Sequence, residues 1–208
     1  DPKVAKGLVK REVTRIVTPG TNLNLQSLEE NKNNYLMCIV HFAERTGISV
    51  ADVTTGDYYV TEVEDNRKLL DEINRYQPSE IICNDAFLMS GLDIEDLKSR
   101  LGSAVYTLEP HYFDVALCEK CLQKHFRVSS LAGLGVKEFP DGLVAAGSLL
   151  QYLYDTQKTS LDHFTNLTPY VTSRFMLLDS SSRRNLELTE TLREKQKRGS
   201  LLWVLDKT

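Results

Sequence analysis

Eight consecutive residues, Tyr35-Leu-Met-Cys-Ile-Val-His-Phe42, form an apolar run broken only by one histidine. The polar loop Asn31-Lys-Asn-Asn34 precedes it. A strand with one wet face alternates apolar and polar residues, whereas a strand covered on both faces does not. The run therefore predicts a central strand with a layer of structure on each side. Residues 47–53 give a second strand. Tyr58-Tyr-Val-Thr-Glu-Val63, rich in β-formers, gives a third after the turn Thr54-Thr-Gly-Asp57. These connections are too short for the crossover that parallel neighbours need, so the three strands form an antiparallel meander.

The period then changes. Leu69, Leu70, Ile73 and Tyr76 fall at helical spacing within residues 66–76, and Pro78 stops that helix. Residues 79–83 read as a fourth strand, 93–101 as a second helix and 104–108 as a fifth strand. In residues 114–126 Val115, Cys118, Leu122 and Phe126 form one apolar stripe. Asp141 is a candidate N-cap for a longer helix through residue 156, with Leu143, Ala146, Gly147, Leu150, Leu153 and Tyr154 inward. Three antiparallel strands, then helix, strand, helix, strand, helix is the order of the ribonuclease H-like fold. The fold class is thus α/β, with a mixed five-stranded sheet and flanking helices. Residues 158–173 are polar and broken by Pro169, and read as a passage into a helical segment.

Composition narrows the function. Of 208 residues 41% are hydrophobic, enough for a real core. A net charge of −4 offers no overall attraction to nucleic acid. Four cysteines make no disulfide framework. No apolar run is long enough to span a bilayer, and no signal stretch opens the chain, so a cytoplasmic protein is expected.

A ribonuclease H-like order raises a metal-dependent nuclease, which needs clustered carboxylates around two cations. The first strand carries no Asp or Glu. Asp52 on the second strand and Asp85 beyond the fourth are the remaining candidates, expected to be able to face each other, yet both stand where Asp commonly serves a turn. Cys118-Glu-Lys-Cys121 has no second pair to complete a zinc site, although His125 lies one turn on. No G-x-x-x-x-G-K-[ST] loop is present to cradle nucleotide phosphates. Arg183, Arg184, Arg193, Lys195, Lys197 and Arg198 alternate with Glu187, Glu190 and Glu194, as on a solvated helix.

The last part of the chain is the most specific. Ser180 to Ser182 can cap a helix whose apolar positions are Leu186, Leu188 and Leu192, and a further apolar run opens at Ser200. The segments LDSSSRRNLEL (178–188) and GSLLWVLD (199–206) resemble the opening of the core, or lever, domain in the MutS family of mismatch repair proteins. The resemblance extends to AKGLVKREV (5–13), VTPGT (17–21), ADVTTG (51–56), GLVAAG (142–147), LLQY (149–152) and TQK (156–158).

The resemblance implies three parts: an arm from the mismatch-binding domain at 1–24, an RNase H-like connector at 25–160, and the start of the helical core at 161–208. It implies a longer protein that dimerises, binds mispaired DNA, uses ATP with Mg and recruits MutL. The mismatch-reading and ATPase motifs of the family do not occur here. The expected fragment is therefore non-catalytic, with no cofactor of its own; the alternative is a free-standing RNase H-like nuclease. In the family this domain belongs to the MutL-docking surface. The polar face of the 114–126 helix, made of Glu119, Lys120, Gln123 and Lys124, is the candidate contact.

Overall fold

The computed structural model describes residues 12–22, 33–42, 44–172, 178 and 180–206. Residues 1–11 of the expected arm, with Lys3, Lys6, Lys10 and Arg11, lie outside them, as do most residues of the 5–13 block.

Strands β1 (Tyr35–His41), β2 (Thr46–Asp52) and β3 (Tyr58–Val63) form the expected antiparallel meander. β4 (Glu80–Cys83) lies parallel to β1, and β5 (Ala104–Thr107) parallel to β4. The five interior residues of β1 are buried, as its unbroken apolar run requires. The sheet order is β5-β4-β1-β2-β3-β6, so there are six strands rather than the five expected. β6 is the two-residue Thr168–Pro169, which pairs parallel to the outer edge of β3. Its proline sits on an edge, where a missing N–H costs no ladder bond. The polar passage thus contributes Thr168–Pro169 to the sheet, and Leu161, Phe164 and Leu167 within it are buried.

Helices cover both faces. α1 (Asn66–Tyr76), α2 (Asp85–Leu88) and α3 (Ile94–Leu101) lie with Met37, Ile39, Ile48 and Ile81 on one side. On the other side α5 (Pro140–Gln157) runs across the sheet, with α4 (Val115–Phe126) packed on it. Two glycines set these approaches. A Cβ at Gly47 would lie 2.1 Å from the Asp141 carbonyl oxygen, and one at Gly147 would lie 2.3 Å from the Cys118 Cβ. α5 therefore presses directly on β2, and α4 directly on α5.

α5 is not capped by Asp141. Phe139 holds the N-cap position and Pro140 the first turn. The acceptor comes from the sheet: Glu62 Oε1 on β3 receives the Asp141 N–H at 2.6 Å and the Gly142 N–H at 3.0 Å. Burial, then the Glu62 charge, push the Asp141 carboxyl above its usual range. Tyr154, expected inward, is 38% exposed.

A turn of 3-10 helix, Pro19–Thr21, is seated in the body of the domain. The Gly20 N–H donates to Glu80 Oε2 at 2.8 Å, and Tyr152 donates to Glu80 Oε1 at 2.6 Å. Asn34 Nδ2 donates to the Pro19 and Asn22 carbonyls at 3.0 and 3.2 Å. The VTPGT segment is therefore a plug held by a fully buried carboxylate.

Beyond residue 172 the pattern changes. α6 (Ser180–Asn185) starts at the serines but stops before Leu186. Glu187 adopts φ 46° and Glu187 Oε1 accepts from the Leu192 N–H at 2.7 Å, so 186–199 do not continue the helix. The expected solvated helix with i,i+4 charge pairs is thus not formed there. Ser200 caps α7 (Leu201–Leu205) through the Trp203 N–H.

Candidate partner-docking site

α4 begins at Asp114, whose carboxylate accepts the Leu117 N–H at 2.9 Å, and ends at Arg127 in the left-handed region. Cys118 and Leu122 are fully buried against α5. Val115, expected on the same inward stripe, is 54% exposed, because the stripe drifts outward over the first turn. Leu117 is also exposed.

The four candidate residues separate into two rows. Glu119 and Gln123, four apart, border a cleft of ≈ 330 Å³ floored by Leu131, Val136 and Leu143. Lys120 and Lys124 form the adjacent exposed row, and neither borders the cleft. Lys137 and Pro140 complete the opposite wall. This wall runs from the segment after α4 into the first turn of α5, and the glycine turn at Gly135 (φ +69°) brings it back toward α4. The sequence reading missed these residues, since only the fold sets them beside Glu119. The arrangement offers apolar surface at Val115, ringed by both signs of charge. That composition suits a reversible protein contact.

The other candidates are placed differently from what catalysis needs. Tyr35 at the start of β1 is opposite Asp52, whereas Asn84 bonds the backbone of His41 at the other end of β1. Asp52 and Asp85 thus lie at opposite ends of the strand, about 20 Å apart at the usual rise of ~3.3 Å per residue. They do not face each other. Asp52 is fully buried and already accepts from the Thr54 N–H at 2.8 Å, the Thr54 hydroxyl at 2.5 Å and the Asn34 N–H at 3.2 Å.

Burial pushes the Cys118 and Cys121 thiols up to about 11, so both stay protonated near neutral pH. His125 is turned away from them. Its Nε2 lies 2.8 Å from the Phe164 carbonyl oxygen and its Nδ1 2.7 Å from the Tyr154 hydroxyl. Among the described residues no group of three or more His, Cys, Asp and Glu is arranged to hold a metal ion. The sequence contains no G-x-x-x-x-G-K-[ST] loop to hold nucleotide phosphates. Among the described residues no helix is long and apolar enough to cross a membrane.

Comparison with known proteins agrees with the fold. The family model for MutS domain II matches residues 34–165. The DNA mismatch repair protein MutS of Lachnoclostridium phytofermentans is 67% identical over the whole chain, which spans 22% of that relative's length. The MutS proteins of Ruminiclostridium cellulolyticum and Acetivibrio thermocellus are 44% and 42% identical, again over the whole chain and 24% of their length. The chain thus spans about a quarter of the relatives it matches. It belongs to the MutS family of DNA mismatch repair proteins and carries that family's domain II, the RNase H-like connector.

Proposed function

We propose that this chain is the non-catalytic connector segment of a longer, cytoplasmic mismatch repair protein, and that the outer face of α4 docks a MutL-like partner. The observation that carries the reading is the division of α4. Its inner side is buried at Cys118 and Leu122. Its outer side presents Val115, Leu117, Glu119, Lys120 and Lys124 to solvent beside an apolar cleft. Surface charges around such a patch tune encounter and specificity more than they tune stability.

In this reading, mismatched DNA, ATP with Mg and the dimer contact belong to other parts of the longer protein. The arm through Thr21 brings the chain in from the mismatch-binding domain and plugs into the connector at Glu80. The sequence reading begins the helical core at residue 161; the burial of Leu161, Phe164 and Leu167 and the pairing of Thr168–Pro169 with β3 support a later boundary. We accordingly place the start of the lever after Thr172.

The test is Lys120→Glu with Lys124→Glu in the full-length protein. Loss of MutL recruitment, with mismatch binding and melting temperature unchanged, supports the docking face. Unchanged recruitment removes it.

A further inference from the structure

On the face opposite α4 and α5, on the β3 and β6 side of the sheet, four tyrosines meet. Tyr35 of β1, Tyr59 of β3, Tyr76 at the end of α1 and Tyr170 just past β6 line a cavity of ≈ 390 Å³ with Arg75 and Thr168. That volume lies within the range of small-ligand sites, about 300–1,000 Å³. Tyr76 is the hub. Its ring centroid lies 5.1 Å from that of Tyr35, 6.0 Å from Tyr59 and 6.4 Å from Tyr170. All four rings keep part of their surface exposed.

The cluster already seats one guanidinium. Arg75 Cζ stands 5.2 Å from the Tyr76 centroid and 5.1 Å from that of Tyr170, with Nη1 3.6 Å from Glu72. Glu72 is buried and also accepts the Tyr170 hydroxyl at 2.5 Å. Asp57 stands just before β3 and two residues ahead of Tyr59, which puts both on one face, and its backbone carbonyl accepts the N–H of Asp52 opposite Tyr35 at 3.0 Å. After burial, its charge raises the Tyr35 and Tyr59 hydroxyls above the ordinary phenol range. Arg75 offsets Glu72 and leaves Asp57 in excess. Ring faces with a surplus carboxylate attract a cation and repel a phosphate. A planar guanidinium stacks on such rings better than an ammonium does.

We propose that this cavity receives an arginine side chain from a partner protein, its guanidinium against Tyr35 and Tyr59 and paired with Asp57. The proposal concerns a different face from the α4 docking site and stands without it.

The test is an NMR titration of this chain, read at the tyrosine ring resonances, with N-acetyl-arginine amide as the probe. Its uncharged isostere N-acetyl-citrulline amide and N-acetyl-lysine amide are the controls. Saturable shifts at Tyr35 and Tyr59 are expected with arginine, at least fivefold weaker binding with lysine, and no saturable shift with citrulline. Asp57→Asn should weaken arginine binding at least fivefold. Thr168→Arg, at an exposed edge position, should block the cavity to the same degree and serves as a second variant if Asp57→Asn disturbs the 54–57 turn. Equal responses to arginine and citrulline overturn the site, as does undiminished binding in folded Asp57→Asn and Thr168→Arg. Equal binding of lysine overturns the guanidinium assignment.

Discussion

Tyr58 and Tyr59 are consecutive residues of β3, and the sheet sends them to opposite faces. Tyr58 is 2% exposed, packs against Phe126 and Phe164, and donates its hydroxyl to the Ala146 carbonyl of α5. Its hydroxyl is held well above the ordinary range, chiefly by burial. Tyr59 stays half-buried, in the open ring cluster beside Arg75. One face is sealed by an 18-residue helix with a second helix over it. The other is covered by shorter helices that leave Tyr59 partly exposed. The same side chain therefore supplies core on one face and binding surface on the other, and the helical cover decides which.

The strongest way to break the sealed face is Gly147→Ala. The added Cβ would meet Cys118 at 2.3 Å, with the Cys118 Cα at 2.5 Å, so α4 must move away from α5. A loss of about 3 kcal/mol in urea unfolding is expected, at the upper end of overpacking costs. A loss under about 0.5 kcal/mol would show that the two helices are not tightly apposed.

The paired tyrosines give the next effect. Tyr58→Phe removes a buried hydroxyl bond and should cost about 1–2 kcal/mol, whereas Tyr59→Phe should stay within about 0.5 kcal/mol. Equal losses at the two positions would erase the distinction between faces.

The smallest effect lies where β3 meets α5. The Asp141 carboxyl is raised in the fold, so its proton binds more tightly in the native state than in the unfolded chain. Its charged form is the unfavourable one. Asp141→Asn should therefore raise the melting temperature slightly at neutral pH. That gain should vanish as the pH falls below the carboxylate range. Glu62→Ala, which removes the acceptor for two helix N–H groups, should instead cost about 1 kcal/mol. A stabilised Glu62→Ala would mean that the cross-strand cap is repulsive on balance.

These contrasts also mark what the sequence could carry. The apolar run at β1 and the change from period 2 to period 3.6 are local signals, and they place the meander, α1, α3, α4 and α5. The cap on α5 is not local: Asp141 has the right chemistry in the right place, yet Glu62, 79 residues away, supplies the acceptor. β6 escaped because two residues with a proline carry no strand period, and only the buried Leu161, Phe164 and Leu167 tie that passage to the core. The charged positions of the α4 face were legible. Its cleft was not, because Val136, Lys137, Pro140 and Leu143 come beside Glu119 only after the chain turns at Gly135. That Asp52 and Asp85 could face each other was open in the sequence, which carries no register; Asp52 opposite Tyr35 and Asn84 bonded to His41 separate them.

The most direct test of the central claim is hydrogen exchange of the full-length protein, with and without saturating MutL-like partner. Helix amides report local opening, and a docked partner slows it. Slowed exchange is expected in peptides covering residues 115–126, centred on Glu119 to Lys124. Unchanged exchange throughout α4, while the partner is bound elsewhere, would contradict the claim.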